Sequence, residues 1–178
     1  TPCVYIHTNG QHVVLGAGTG VISLGETLLG SIEPLFVCFS HFHFDHILGF
    51  PYFKPLYEQG RHIYIVHPDP KKAKIMFERI FNQDFFPIAF NDIPATLEFI
   101  SPEACRATHQ LQLVSHDLNH PGGSVAYELN VGQKRIIYAT DNELTKDNKP
   151  GFVSLFKCAD ILIHDAYFFD ESRHEYKN

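Results

Sequence analysis

Short apolar runs separated by turn residues dominate the first part of the chain and predict strands. Two β-rich runs, at residues 2–7 and 12–15, flank Asn9 and Gly10, and this dipeptide is the strongest short hairpin signal. The continuous apolar run at residues 35–39 is typical of a strand that is buried on both faces. The chain is therefore expected to begin with an antiparallel pair, followed by a core strand.

The rest of the chain combines strand patterns with a few helical ones. Polar and apolar side chains alternate at residues 62–67, which predicts a strand, and apolar positions recur at helical spacing over 71–83. After residue 96 the pattern is mostly that of strands, at 97–100, 111–115, 124–131, 134–139 and 161–163, with a short helix at 151–158. One α/β domain spanning residues 1–178, with much antiparallel pairing, fits this order best.

A glycine-rich segment follows the second predicted strand and invites a dinucleotide-binding interpretation. Its spacing is G-x-G-x-G from Gly16 to Gly20, and Val21 stands where the third glycine of the fingerprint belongs. No acidic residue ends a second strand about 20 residues later, as that fingerprint requires. We therefore interpret the segment as a tight turn that passes close to the histidine-rich loop described below, and residues 21–29 can form a short helix.

Composition narrows the class of protein. The chain has 178 residues, of which 44% are hydrophobic and 19% charged, and this is ordinary for one globular domain. A net charge of −6 argues against a surface built to cover nucleic-acid phosphates, although a bound dication can still attract a small anion. The sequence lacks an apolar run near the roughly 18 residues of a membrane span and lacks a signal-peptide pattern, so we expect a soluble, cytoplasmic protein. The four cysteines are far apart, and we expect buried, reduced thiols.

The residues with the strongest chemical signal directly follow the 35–39 run. His41, His43, Asp45 and His46 form an H-x-H-x-D-H motif, which rarely arises by chance. On extended chain, His41 and His43 point to the same side, as one metal ion requires. Asp45 and His46 follow where the chain turns, so they can face a second position. The motif therefore predicts two half-sites, and each needs further ligands from elsewhere in the chain.

Candidates for the missing ligands stand at the ends of later β-runs, where side chains project from a sheet edge. His120 precedes a Pro-Gly-Gly turn, and Asp141 ends the run that begins at residue 134. A carboxylate can bridge two cations, whereas a histidine cannot. The segment 164–166 is a third candidate region, with Asp165 in a supporting role. Alone, each of these is more often a hydrogen-bonded turn residue, but beside the motif His120 and Asp141 are favoured as ligands.

These motifs, in this order, resemble the metallo-β-lactamase superfamily, in which H-x-H-x-D-H is followed by a lone His, a bridging Asp and a final His. The resemblance implies a four-layer αβ/βα sandwich of the α/β (α+β) class. It also implies that His41, His43 and His120 bind one metal ion, that Asp45 and His46 bind a second, and that Asp141 bridges them. Five segments, residues 1–4, 40–49, 120–124, 139–142 and 162–166, are similar to the phosphodiesterase-like branch, which includes cyclic-nucleotide and phosphonate-pathway phosphodiesterases.

The resemblance implies a metal-dependent hydrolase, and within that class a phosphodiesterase. Two divalent ions would be bound; imidazole with carboxylate suits Zn²⁺ best, and Mn²⁺, Fe and Ni²⁺ stay open. A small anionic phosphodiester would be held by the cations, and Asp45 would orient the attacking water or accept its proton. Two alternatives remain: a lactonase or thioesterase of the same fold, and a degenerate domain that binds metal or a nucleotide without turnover. A homodimer is also left open.

Two departures from the family pattern affect the expected site. The family usually carries Asp where this chain has Gly16, and that carboxylate helps to hold the metal-binding loop. Family members also continue to a G-H-S/T box and a final histidine ligand, whereas the sequence stops at Asn178. His174 lies in a polar tail and is a poor substitute, so we expect further segments beyond both ends. We also expect the first metal site to be better occupied than the second.

Overall fold

The computed structural model describes residues 2–165, which form two β-sheets flanked by helices. The strands within this range are Val4–Thr8 (β1), Gln11–Leu15 (β2), Leu35–Cys38 (β3), His62–Val66 (β4), Thr96–Ile100 (β5), Leu113–Leu118 (β6), Ser124–Val131 (β7), Lys134–Ala139 (β8) and Ile161–His164 (β9). The α-helices are Gly20–Thr27 (α1), Phe44–Ile47 (α2), Pro70–Ile80 (α3), Pro102–His109 (α4) and Lys149–Phe156 (α5). Short 3-10 helices span Phe50–Tyr52, Lys54–Tyr57 and Phe90–Asp92.

The two sheets differ in strand direction, and this determines where loops meet. The first sheet has the order β1-β2-β3-β4-β5, in which β1 and β2 are an antiparallel hairpin and β2 to β5 run parallel. The second has the order β6-β7-β8-β9, antiparallel except for the parallel pair β8 and β9. The carboxyl ends of β2, β3 and β4 therefore lie along one edge. The backbone N–H of Val125 donates to the Ser40 carbonyl at 3.1 Å and joins the second sheet to that edge.

Apolar side chains form three buried clusters, and these define a four-layer sandwich. Between the sheets, Phe36 of β3 and Tyr127 of β7 belong to one cluster, and both are fully buried. On the outer face of the first sheet, Phe77 of α3 belongs to a second cluster that also includes side chains of α1, β2, β3 and β4. On the outer face of the second sheet, Phe156 of α5 packs against the cluster that contains Ile137 of β8. The predicted αβ/βα fold class is confirmed.

Helix α3 shows how local sequence sets an element's start. The Asp69 carboxylate accepts a hydrogen bond from the backbone N–H of Lys72 at 2.9 Å, and Pro70 occupies the first helical position. The helix therefore begins one residue before the predicted 71–83 segment and ends at Ile80. Across residues 2–165, the helices are too short and too polar to span a bilayer.

Helix α4 corrects the sequence analysis, which assigned mostly strands after residue 96. Its start carries a clear signal, because Ser101 accepts a hydrogen bond from the backbone N–H of Ala104 at 3.3 Å and Pro102 is the first helical residue. The helix ends at His109, and the capping residue Gln110 adopts a left-handed conformation with φ of +56°. The strand that follows is shifted accordingly, to 113–118 rather than 111–115.

The cysteines are free within the described residues, as expected, but they are not all buried. Cys38 and Cys105 are buried and Cys3 is half-buried, whereas Cys158 is exposed just after α5. Burial raises the pKa of Cys3 to about 11 and that of Cys105 to about 12, so these groups are neutral thiols at physiological pH. The expectation of buried thiols is therefore wrong for Cys158.

Candidate metal centre

Backbone hydrogen bonds hold the histidine loop, residues 40–46, against the glycine-rich turn at the end of β2. The N–H of Ala17 donates to the carbonyl of His46 at 2.9 Å, and the N–H of Gly49 donates to the carbonyl of Ala17 at 3.1 Å. A Cβ on Gly49 would overlap the carbonyl of Gly18, so only glycine permits this approach. The predicted close contact between the glycine-rich turn and the histidine loop is confirmed.

Three histidines from two loops form the first candidate ligand group. The ring centroid of His41 lies 4.5 Å from that of His43 and 4.8 Å from that of His120. His43 Nδ1 lies 3.0 Å from His120 Nε2. His41 is buried, His120 is half-buried and His43 is exposed. The loop after β3 and the turn before β7 therefore bring together the three residues expected to bind one metal ion.

The second group is built around the Asp141 carboxylate. One turn of helix, α2, carries Asp45 and His46, and His46 Nε2 lies 3.2 Å from Asp45 Oδ2. The same nitrogen lies 2.5 Å from Asp141 Oδ2, and that oxygen is also 3.3 Å from His41 Nε2. Asp141 thus reaches residues of both groups. The structure places all six predicted residues in one cluster; that they bind metal stays a prediction.

Three members of the cluster, His41, His120 and Asp141, have pKa values shifted in the direction that favours metal binding. Burial lowers the pKa of His41, because the loss of solvent outweighs the attraction of the Asp141 carboxylate. Burial also lowers the pKa of His120. The imidazoles of His41 and then His46, which lie 3.3 and 2.5 Å from its carboxylate, hold the pKa of Asp141 well below its usual range. His41 and His120 are therefore biased toward the neutral form and Asp141 toward the carboxylate, which are the forms that coordinate metals.

The spacing of the donor atoms fits bound metal ions. Two ligand atoms that are each about 2.0–2.1 Å from a tetrahedral ion lie about 3.3 Å apart. The separations of 3.0 Å between His43 and His120 and of 3.3 Å between His41 and Asp141 are close to that value. His41 Nε2 is buried and makes no hydrogen bond to any of the described residues, so it remains available as a ligand. The 2.5 Å contact between His46 and Asp141 must lengthen when an ion enters.

Two serines support His41 and were not identified from the sequence. Ser40 Oγ lies 3.1 Å from His41 Nδ1, and Ser124 Oγ lies 3.4 Å from the same nitrogen. With both hydroxyls on the Nδ1 side, the Nε2 atom faces Asp141. Such partners fix the orientation and tautomer of a ligating histidine. The sequence contained a signal, because Ser40 directly precedes the first histidine of the motif.

Asp165 supports Asp141, in line with the outer role considered for it. Asp141 has a left-handed backbone, with φ of +57°, and its N–H donates to Asp165 Oδ1 at 3.0 Å. This hydrogen bond stabilises a conformation that non-glycine residues seldom adopt. His164, in the same candidate segment, lies with Nδ1 2.7 Å from the Asp165 carbonyl. Ala166 and His174 fall outside the described residues.

The Tyr138 hydroxyl lies next to Gly16, the position at which the family usually has Asp. Gly16 has φ of +75°, and a Cβ there would lie 2.7 Å from Tyr138 Oη and 2.9 Å from the Pro2 carbonyl oxygen. The Tyr138 hydroxyl is buried and has no hydrogen-bond partner within residues 2–165. The Tyr138 hydroxyl and the Pro2 carbonyl therefore fill the space that a side chain at residue 16 would need, and backbone contacts of the glycine-rich turn hold the histidine loop.

A sequence model described as the metallo-beta-lactamase superfamily matches residues 1–166. The chain belongs to this superfamily. Integrator complex subunit 11 of Gallus gallus is 24% identical to it over 148 residues, covering 74% of this chain and 24% of the relative. This metallo-β-lactamase superfamily chain thus spans about a quarter of the length of that relative.

Solved structures share the fold. The metallo-beta-lactamase fold protein YhfI from Bacillus subtilis superposes with a TM-score of 0.63 at 16% identity, covering 96% of this chain and 66% of YhfI. Human tRNase Z, short form, superposes with a TM-score of 0.58 at 20% identity, covering 98% of this chain and 74% of the other. At these identities the likeness shows a common architecture.

Proposed function

We propose that this superfamily member is a metal-dependent phosphodiesterase with a dinuclear centre. The observation that carries the proposal is the position of Asp141. Its Oδ2 lies 3.3 Å from His41 Nε2 and 2.5 Å from His46 Nε2, so one carboxylate joins both ligand groups. A carboxylate shared in this way favours a dinuclear site, because an anion between two cations offsets their repulsion.

The position of each candidate ligand determines which ion it would bind. His41, His43 and His120 would hold one ion, Asp45 and His46 the other, and Asp141 both. Bound divalent ions of the zinc class polarise a phosphoryl oxygen and lower the pKa of water. The Asp45 side chain is 57% exposed, so its carboxylate faces the solvent side from which substrate must enter. We assign Asp45 the role of orienting the attacking water and accepting its proton.

The proposed substrate is a small anionic phosphodiester. The chain has a net charge of −6, but basic side chains need not neutralise the substrate phosphate, because the bound cations would hold the anion. Similarity to human tRNase Z, whose name denotes a tRNA nuclease, favours phosphodiester chemistry over lactone or thioester hydrolysis.

The proposal is tested by assaying zinc- or manganese-loaded protein against bis(p-nitrophenyl) phosphate and against a panel of lactones and thioesters. We expect phosphodiester turnover that is lost with chelation. Asp141→Ala should reduce turnover by more than the roughly 10- to 100-fold typical of outer-sphere changes. Asp117→Ala, which removes an exposed carboxylate on β6, is the matched control and should retain activity. Lactone turnover with an inert phosphodiester would overturn the proposal.

Unequal occupancy of the two sites is a separate expectation within this proposal. The first group offers three imidazoles, whereas Asp45 and His46 depend on the shared Asp141 to complete their set. Stepwise zinc titration monitored by calorimetry should therefore resolve unequal affinities for these two sites, with the tighter one lost in His120→Ala. His62→Ala, a change to an exposed histidine on β4, should alter neither. A His120→Ala variant that kept full metal content would refute the ligand assignment.

A further inference from the structure

A second group of potential ligands lies at the opposite end of the first sheet from the histidine loop. His7 of β1 and His12 of β2 are directly opposite each other in the hairpin, and Glu33 comes from the segment before β3. His12 stands at the start of β2, roughly 13 Å along the strand from Gly16 at about 3.3 Å per residue. The group therefore shares no residue with the candidate metal centre.

The ligand atoms of this group converge. His7 Nε2 lies 2.7 Å from Glu33 Oε2, and His12 Nε2 lies 3.1 Å from the same oxygen. One ligand atom from each of the three residues lies within 4.8 Å of the other two. Two imidazole nitrogens and one carboxylate are a donor set that zinc uses in proteins, and its ligand atoms lie about 3.3 Å apart when bound. The observed spacing needs only a small opening to admit an ion.

The surroundings of His12 prepare it as a ligand. Tyr5 Oη lies 2.8 Å from His12 Nδ1, which leaves Nε2 facing Glu33. Ser31 Oγ lies 2.7 Å from that Nε2, close enough to act as a further oxygen ligand of a bound ion. His12 is only 7% exposed, and burial lowers its pKa, which reduces competition from protons. A ring nitrogen held by an outer partner is the usual arrangement at metal-binding histidines.

Access from solvent is also present. Ser31 and Glu33 line a surface cavity of about 390 Å³, which can supply water to the remaining coordination position. The His7 side chain is 48% exposed and the Glu33 side chain 38% exposed, so an ion can reach both. An ordinary surface ion pair uses one histidine and one carboxylate, as His62 and Glu98 do on β4 and β5 at 2.9 Å. The group at Glu33 differs from such a pair because a second histidine, the buried His12, also contacts the carboxylate.

We propose that His7, His12 and Glu33 form an additional site for a divalent transition-metal ion of the zinc class. Such an ion would clamp the β1–β2 hairpin to the segment that leads into β3. The strand β1 is the edge of the first sheet, and β2 is its only strand neighbour within the described residues. A metal bound here would therefore stabilise the fold at that edge, without a part in the proposed phosphodiester hydrolysis.

The test is the zinc content of full-length protein equilibrated with micromolar Zn²⁺, measured by elemental analysis. We expect His7→Ala and Glu33→Gln each to bind one ion fewer per chain than the wild type, while phosphodiesterase turnover is retained. Asp141→Ala should keep this ion while losing zinc from the principal centre. His62→Ala, which disrupts the ordinary pair with Glu98, is the matched control and should bind as much as the wild type.

Thermal unfolding supplies a second measurement. Added Zn²⁺ should raise the melting temperature of the Asp141→Ala protein, because this site remains, and the rise should be smaller when His7→Ala is combined with it. Circular dichroism of each variant checks that the fold is intact. Unchanged zinc content in both His7→Ala and Glu33→Gln would overturn the proposal. So would zinc binding that appears only at millimolar concentration.

Discussion

Gly16→Ala tests the close packing that replaces the family's aspartate. Gly16 has φ of +75°, and its Cα faces Tyr138 Oη and the Pro2 carbonyl. Alanine there meets two obstacles, a left-handed backbone and a pair of contacts below 3.0 Å, at 2.7 and 2.9 Å. We expect this substitution to destabilise the protein more than a change that meets only the first obstacle.

The magnitude follows from the two terms. A left-handed backbone costs a residue with a Cβ about 1–2 kcal/mol, and reduced chain freedom in the unfolded state returns about 0.4–1 kcal/mol of this. Overpacking in a closed core typically adds about 1–3 kcal/mol, and here one contacting atom is a backbone oxygen that cannot rotate away. The expected loss in the free energy of unfolding is therefore about 3 kcal/mol.

Urea unfolding measures this loss, with the slope of the transition checked for constancy. Gly132→Ala is the matched control, because Gly132 has φ of +59° and open space around its Cα, so it should lose about 1 kcal/mol. Tyr138→Phe removes one of the two contacts and should recover about 1 kcal/mol of the Gly16→Ala loss in the double variant. A Gly16→Ala loss no larger than that of Gly132→Ala would refute the packing argument.

Three other predictions concern single contacts. Ser101→Ala should cost about 1 kcal/mol in urea unfolding, since it removes the cap of α4, and Ser101→Gly should cost only a few tenths; equal losses would contradict the capping role. Arg135 lowers the pKa of Glu128 to about 2, so this pair adds stability above the unfolded pKa near 4.5 and loses it as pH falls toward 2. Solvent screening of the partly exposed pair reduces that contribution to about 1–2 kcal/mol, and Glu128→Gln should abolish this pH dependence. Asp165→Ala should reduce metal affinity at Asp141 by about 10- to 100-fold, whereas Asp165→Asn, which keeps the acceptor oxygen, should reduce it less.

Much of the fold could be predicted from the pattern of apolar residues. The hairpin at Asn9 and Gly10, the buried strand β3 and the long helix α3 are each specified by neighbouring residues, and the structure contains all of them. Helix α4 was missed because its eight residues lie between strands, and a short helix has a weak periodic signal. Its cap and proline are local signals that need no periodicity, and they would have identified it.

The candidate ligands were predicted more completely than the residues that hold them in place. The motif of His41, His43, Asp45 and His46 is contiguous, so residue spacing alone indicates shared chemistry. Ser124 contacts His41 across the sandwich, from another sheet. Nothing in sequence spacing specifies such a contact, because it depends on how the two sheets pack. The convergence of His7, His12 and Glu33 was missed for the same reason, since Glu33 lies far from the hairpin along the chain.

The histidine loop keeps its position without a carboxylate at residue 16, and the reason lies in the backbone. The hydrogen bonds between Ala17 and His46 and between Gly49 and Ala17 use main-chain atoms, which no substitution at residue 16 removes directly. Asp165 supports Asp141 with a charged side chain, whose Oδ1 accepts a hydrogen bond from the Asp141 N–H. A glycine at residue 16 is therefore compatible with a formed centre. We therefore expect a change at Asp165 to weaken metal binding, whereas the natural Gly16 does not prevent it.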